Sequence, residues 1–153
     1  MNIAWQYLDK KAATISALKD FDSMRRLMAQ AREQMGEANA RMTAVGQAVP
    51  RDMPRTGFQP HAGEDRVAGA IDEMDMLREK YRRARDYMVW FRTGWTALSE
   101  EERYVLKQFY MSDETRQTDK ILDICEALSI ERTTAYKKKD RALAHLSLML
   151  YGI

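Results

Sequence analysis

The residues with the clearest chemistry form a cationic run near the C-terminus. The run comprises Arg132, Thr133, Thr134, Tyr136, Lys137, Lys138, Lys139 and Arg141. An arginine can hydrogen-bond O6 and N7 of one guanine together, and lysines and hydroxyl groups bind phosphates. A solvated helix face is the other interpretation of so many lysines. These eight residues are the candidate DNA contacts.

Helical spacing divides the run between two tasks. Arg132 and Thr133 fall in the first turn of a predicted helix, where a helix inserted in the major groove meets base edges. Tyr136 and Lys137 follow three to four residues later and point the same way. The other four residues are assigned to phosphates, although the Thr134 hydroxyl could instead satisfy backbone groups: Thr134, Lys138, Lys139 and Arg141.

Two helices separated by a short break must position this run. The first is predicted over 119–128 because its apolar residues share one stripe. Ser129, Ile130 and Glu131 then interrupt the pattern over the length that a helix-turn-helix uses. The second helix begins at Arg132. The predicted core contacts of the pair are Ile121, Ile124, Cys125 and Leu128 on the first helix, and Ala135, Ala142, Leu143 and Leu146 on the second.

The segment IERTTAYKKKDRALAHL (130–146) resembles the closing part of region four of the sigma-70 family. LSEEERYVLKQFY (98–110) is similar to the helix that precedes it there. With a long coiled-coil region in front, the chain resembles the sigma-like phage activators of the RinA/ArpU type. The resemblance implies a cytoplasmic, sequence-specific DNA-binding regulator of transcription, encoded by a phage or mobile element, with RNA polymerase as a further candidate partner.

Two residues depart from the family pattern. Glu131 stands where the family usually has Ser or Thr as the helix cap, and Lys138 stands where it has an apolar residue. Glu131 still favours the positive end of the helix dipole. Lys138 must lay its stem along the core or turn outward.

Two long apolar stripes precede this region. Their heptad spacing predicts two helices that pair as an antiparallel coiled-coil hairpin and associate with a second copy of the chain, as a homo-oligomer such as a dimer. Gly46 is expected to end the first helix. The first stripe is Phe21, Met24, Met28, Ala31, Met35, Ala38, Met42 and Val45; the second is Val67, Ala70, Met74, Leu77, Tyr81, Ala84, Met88, Phe91, Trp95 and Leu98.

The predicted fold class is therefore all-α, with two domains. Residues 1–98 form the helical hairpin with a loop at 47–63, and residues 99–153 form the helix-turn-helix domain. The loop is rich in Pro and Gly, which favours a mobile tip. The alternative is a loop whose Arg51, Arg55 and His61 touch DNA or polymerase.

Two further patterns bear on charge and on helix ends. Ser99 and Glu102 form a capping box that restarts a helix after Leu98. Arg78, Arg85 and Arg92 recur every seven residues along one flank of the second stripe. They predict either a solvated flank that meets acids on a neighbour or a ridge that contacts phosphates.

Composition sets outer limits on function. The net charge of +2 is too small to indicate nucleic acid by itself, and one cysteine excludes an internal disulfide. No signal peptide or membrane span is evident, so a cytoplasmic protein is expected. No enzyme, cofactor or metal site is expected, because no catalytic or ligand set is spaced for one. The alternative function is a helical adaptor, anti-sigma-like or packaging-related, that binds protein instead of DNA.

Overall fold

The structure, a computed structural model, describes residues 8–47, 62–112 and 116–152. These residues contain helices and no strands, so the all-α class is confirmed for them. None of the described helices is both long enough and apolar enough to span a membrane. The helices are α1 (Lys10–Gln47), α2 (Ala62–Thr96), α3 (Glu100–Leu106, continued by a π-helical turn over Lys107–Met111), α4 (Gln117–Leu128) and α5 (Arg132–Tyr151).

The predicted cap of α3 is present, whereas the predicted end of α1 is not. Ser99 caps α3 through the predicted box: its Oγ accepts from the Glu102 amide at 3.2 Å, and its own amide donates to Glu102 Oε2 at 2.9 Å. Gly46 does not end α1, which includes it and ends at Gln47. The predicted loop 47–63, with Arg51, Arg55 and His61, lies almost entirely outside the described residues.

The described chain forms two compact units that do not divide at residue 98. One contains residues 8–24 and 86–152, and the other contains residues 25–85. The expected C-terminal domain therefore shares its unit with the beginning of α1 and the end of α2. The physical reason is one common core, in which Leu18 of α1 and Phe91 of α2 belong to the same buried cluster as Leu143 and Leu146 of α5.

Close packing joins α2 to the C-terminal half of α5 within the first unit. The Trp90 indole donates to the Leu150 carbonyl at 3.3 Å, and its ring lies edge-on to Tyr151 with centroids 5.5 Å apart. Gly94 is covered by the Leu150 side chain, since a methyl group added at Gly94 would lie 2.7 Å from Leu150 Cδ2. Heptad spacing alone did not predict these contacts.

The other unit buries the middle of the two predicted stripes. Its buried residues are Ala31, Ala38, Leu77 and Ala84. Between the helices, Arg41 of α1 donates to the Glu73 carboxylate of α2 at 2.9 Å.

The stripes are not buried along their whole length. Met42 and Val67 are 39% and 51% exposed, although both line the same groove between α1 and α2. Each lies near the end of its stripe, where the described residues provide no further apolar surface to cover it. The side chain of Val45 lies outside the described residues.

Candidate nucleic-acid interface

A three-residue turn aims α5 away from α4. Ser129 ends α4 in the left-handed region, with φ 53° and ψ 48°. The amide of Ile130 then donates to the Cys125 carbonyl at 3.1 Å, which closes the turn. Glu131 precedes α5 in extended backbone with no capping bond from its side chain. The two helices have the predicted boundaries within two residues.

A second apolar cluster fixes the N-terminal half of α5. It consists of Val105, Phe109, Ile121, Ile124 and Ala135, with Cys125, Leu128 and Ile130 half-buried against it. Ala135 has no exposed surface. Because the side chain of Ala135 is small, the first two turns of α5 pack closely against α3 and α4. The core role predicted for Ile121, Ile124 and Ala135 is confirmed, whereas Cys125 and Leu128 remain partly exposed.

The opposite face of α5 is open to solvent. Five of the eight predicted contacts are exposed: Arg132, Thr133, Thr134, Lys137 and Arg141. Tyr136 is a sixth, 36% exposed, and its ring lies against Phe109 with centroids 6.1 Å apart. The residues assigned to base edges therefore occupy one accessible surface, while Ala135 anchors the face behind them.

Lys139 is held within the protein. Its ammonium lies 5.2 Å from the ring centre of Phe109 and 5.3 Å from that of Tyr136. Its Nζ is also 3.6 Å from Asp140 Oδ1, and only 17% of the side chain is exposed. Cation–π attraction between Lys139 and the two rings stabilises this position. Lys139 thus packs beside Tyr136 instead of extending into solvent.

Lys138 turns outward to an acidic partner. Its ammonium forms an ion pair with the Glu101 carboxylate of α3. The two side chains line a groove of about 210 Å³ that Arg141 also borders. Of the two conformations that the sequence allowed for Lys138, the outward one is observed. Two of the three lysines in the run therefore already have partners on the same chain.

His145 and Glu102 form a further link between α5 and α3. Nδ1 of the imidazole lies 3.0 Å from Glu102 Oε2. Burial raises the pKa of the Glu102 carboxyl, but hydrogen bonds from the Ser99 amide and from His145 outweigh it, so the pKa lies below its ordinary value. Glu102 therefore caps α3 and binds α5 through the same carboxylate.

The sequence placed Glu102 in the capping box of α3 and indicated no distant partner for it or for Glu101. Their pairing with Lys138 and His145 joins residues 37 and 43 positions apart, and no local pattern signals such distant pairs. Among the described residues, no group of three or more His, Cys, Asp or Glu side chains could hold a metal ion. Comparison of the chain with protein-family models, curated proteins and solved structures finds no match in any of the three.

Proposed function

We propose that this protein is a sequence-specific DNA-binding regulator of transcription, in which α4 and α5 act as a helix-turn-helix. One observation carries the proposal. The first turns of α5 present Arg132, Thr133 and Lys137 to solvent, while Ala135 on the same turns is completely buried against α3 and α4. A helix that served only as a solvated surface would not need one side fixed against α3 and α4.

The dimensions and side chains of α5 suit the major groove. A helix with its side chains is about 10–12 Å across, close to the roughly 12 Å width of the groove in B-DNA. In this docking Arg132 and Thr133 reach base edges from the first turn, and Lys137 follows one turn later. Tyr136 contributes a ring already held against Phe109, so it loses little conformational freedom on binding.

The contacts to phosphates require a revision of the initial assignment. Arg141 and Thr134 are exposed and available. Lys138 reaches a phosphate only by exchanging its Glu101 partner, and Lys139 only by leaving the Phe109 and Tyr136 rings. We therefore assign the first phosphate contacts to Arg141 and Thr134, with Lys138 recruited at the cost of an ion pair.

By its resemblance to the sigma-like phage activators, the protein would use two further surfaces. Residues 99–153 form the DNA-binding region, with RNA polymerase as a further partner. The long helices α1 and α2 pair as an antiparallel hairpin through which copies of the chain associate. The Arg41–Glu73 ion pair and the burial of Ala38 and Leu77 support that pairing.

A protein-binding adaptor is the second candidate, and one observation favours it. Leu122 of α4 is 56% exposed, close in sequence to the buried Ile121 and Ile124. An exposed leucine within α4 suits a protein partner, whose apolar side chains could cover it. If DNA bound at this surface, its charged phosphate backbone would give Leu122 no apolar contact.

Selection of bound sequences from a random DNA pool separates the two functions. Enrichment of one motif, with an affinity that falls steeply with salt, supports the DNA-binding proposal. Arg132→Ala should then weaken binding to that motif by about 1–3 kcal/mol and binding to random DNA far less. Arg32→Ala, an exposed arginine on α1, is the matched control. A pool that yields no motif, with equally weak binding to every sequence, supports the adaptor.

A further inference from the structure

The surface of α2 is polarised along its length. Residues 62–77 carry five acids (Glu64, Asp65, Asp72, Glu73 and Asp75) against one base (Arg66), a net charge of −4. Residues 78–85 carry five bases (Arg78, Lys80, Arg82, Arg83 and Arg85) against one acid (Glu79), a net charge of +4. The change of sign falls within a single helix.

An outward face of the same helix is partly apolar. Val67, Ile71, Asp75, Arg78 and Arg82 follow one another at intervals of three or four residues, so they share one side of α2. All five are exposed, Val67 by 51% and Ile71 by 47%, and Val67 also borders the groove against Ala38 and Met42 of α1. This face therefore has apolar surface at its acidic end and arginine stems at its basic end. The guanidinium groups of Arg78 and Arg82 pair within α2 with Asp75 at 3.8 Å and Glu79 at 2.7 Å, and the arrangement proposed below exchanges these exposed pairs for pairs between copies.

We propose that this face binds a second copy of the protein with the two α2 helices antiparallel. The inference deepens the self-association proposed above, because it specifies the surface and the orientation. A two-fold dimer needs a surface that is complementary to itself. In the antiparallel arrangement each acidic half meets a basic half, and the arginine stems of one copy cover Val67 and Ile71 of the other.

A parallel pairing is disfavoured by the same charges. It would bring acid against acid over residues 62–77 and base against base over residues 78–85. Like charges set opposite each other across an interface are costly, whereas opposite charges fix orientation and register. The centre of the antiparallel dimer lies where the charge changes sign, between Leu77 and Arg78.

Distances between spin labels test the orientation in the full-length chain. Ala68 and the 63%-exposed Met76 are changed to Cys one at a time, in a Cys125→Ala background. Each residue away from the two-fold axis adds about 3 Å between equivalent labels, because an α-helix rises about 1.5 Å per residue. The Ala68 labels should therefore lie roughly 24 Å farther apart than the Met76 labels. Equal distances at the two sites would overturn the proposal.

Charge reversal tests the surface itself by sedimentation at low salt. Arg78→Glu with Arg85→Glu, and separately Asp72→Arg with Asp75→Arg, should each weaken self-association by about tenfold or more, and mixing the two variants should restore it. Lys11→Glu with Lys19→Glu makes the same change in charge at two exposed positions of α1 and should leave self-association intact. A wild-type chain that sediments as a monomer, or double variants that still dimerise, would refute the inference.

DNA binding is measured on the same samples. Retention of Arg132-dependent binding without dimers defeats only the self-association. Dimers of the expected geometry that select no DNA motif uphold it and defeat the DNA-binding proposal instead.

Discussion

Nδ1 of His145 lies 3.0 Å from Oε2 of Glu102, so one carboxylate both caps α3 and ties it to α5. Because the folded state lowers the pKa of Glu102, its ionised form stabilises the fold. That stabilisation is complete above the unfolded pKa, near 4.5, and is lost as pH falls through the lower folded value. We expect the free energy of unfolding, measured with urea, to fall by up to about 1 kcal/mol as the pH is lowered through this range.

Glu102→Gln isolates this contribution. The variant should be less stable at neutral pH, and its stability should decline less steeply below pH 4.5 than that of the wild type. Glu100→Gln changes a neighbouring exposed acid and serves as the control. If the free energies of unfolding of the wild type and of Glu102→Gln fall in parallel below pH 4.5, the carboxylate is not responsible.

Removal of Glu101 should release Lys138 for phosphate. With Glu101→Ala the ammonium loses its ion pair, so non-specific affinity for duplex DNA should rise by a few-fold. The slope of log K against log salt should steepen by about one phosphate contact. Fluorescence anisotropy across a salt series measures both quantities. Glu100→Ala removes the same charge without that ion pair, and an identical response from it would argue for a general charge effect.

Enlargement of Ala135 should destabilise the packing of α5 on α3 and α4. Because its side chain is completely buried against α3 and α4, Ala135→Leu should lower the free energy of unfolding by about 1–3 kcal/mol through overpacking. Ala144→Leu adds the same atoms at an exposed position of α5 and should change stability by less than about 0.5 kcal/mol. Thermal unfolding of both variants gives the comparison, and equal losses would contradict the packing described for α5.

Glycine-to-alanine changes should have opposite signs at two positions of α2. Gly69 has open space around it, so Gly69→Ala should stabilise the helix by about 0.5–1 kcal/mol. At Gly94 the new methyl group meets Leu150 Cδ2, and displacement of that side chain should cancel or exceed the helical gain.

A double-mutant cycle checks the cause of the difference at Gly94. In a Leu150→Ala background the obstructing atoms are gone, so Gly94→Ala should regain its stabilising sign. Chemical denaturation of the four proteins measures the coupling. Additive effects within about 0.3 kcal/mol would mean that Leu150 is not the obstacle.

The regular parts of the fold follow from local patterns. Apolar spacing predicted the buried residues Ala38, Leu77 and Ala84 of the long helices, and Ser99 with Glu102 predicted the start of α3 to the residue. Each of these signals depends on residues within one or two helical turns. The same holds for α5, whose inner face could be identified from its apolar spacing alone.

Contacts between distant residues were not predictable in this way. Periodicity indicates which face of a helix is apolar but not what covers that face. The packing of Leu150 on Gly94 could therefore not be predicted from it. Charge runs likewise carry no information about their partners. Lys138 and Lys139 share a triplet in sequence, yet one binds Glu101 and the other lies over aromatic rings.

The shared core also constrains when the molecule can fold. Leu18 and Leu150 belong to the same buried cluster although 132 positions separate them. On the ribosome the cluster around Leu18 can therefore be completed only after α5 has been synthesised, although Phe91 and Leu98 emerge earlier. Contacts so remote in sequence slow the search for the native state, and nascent chains stalled before α5 would be the ones that aggregate or recruit chaperones.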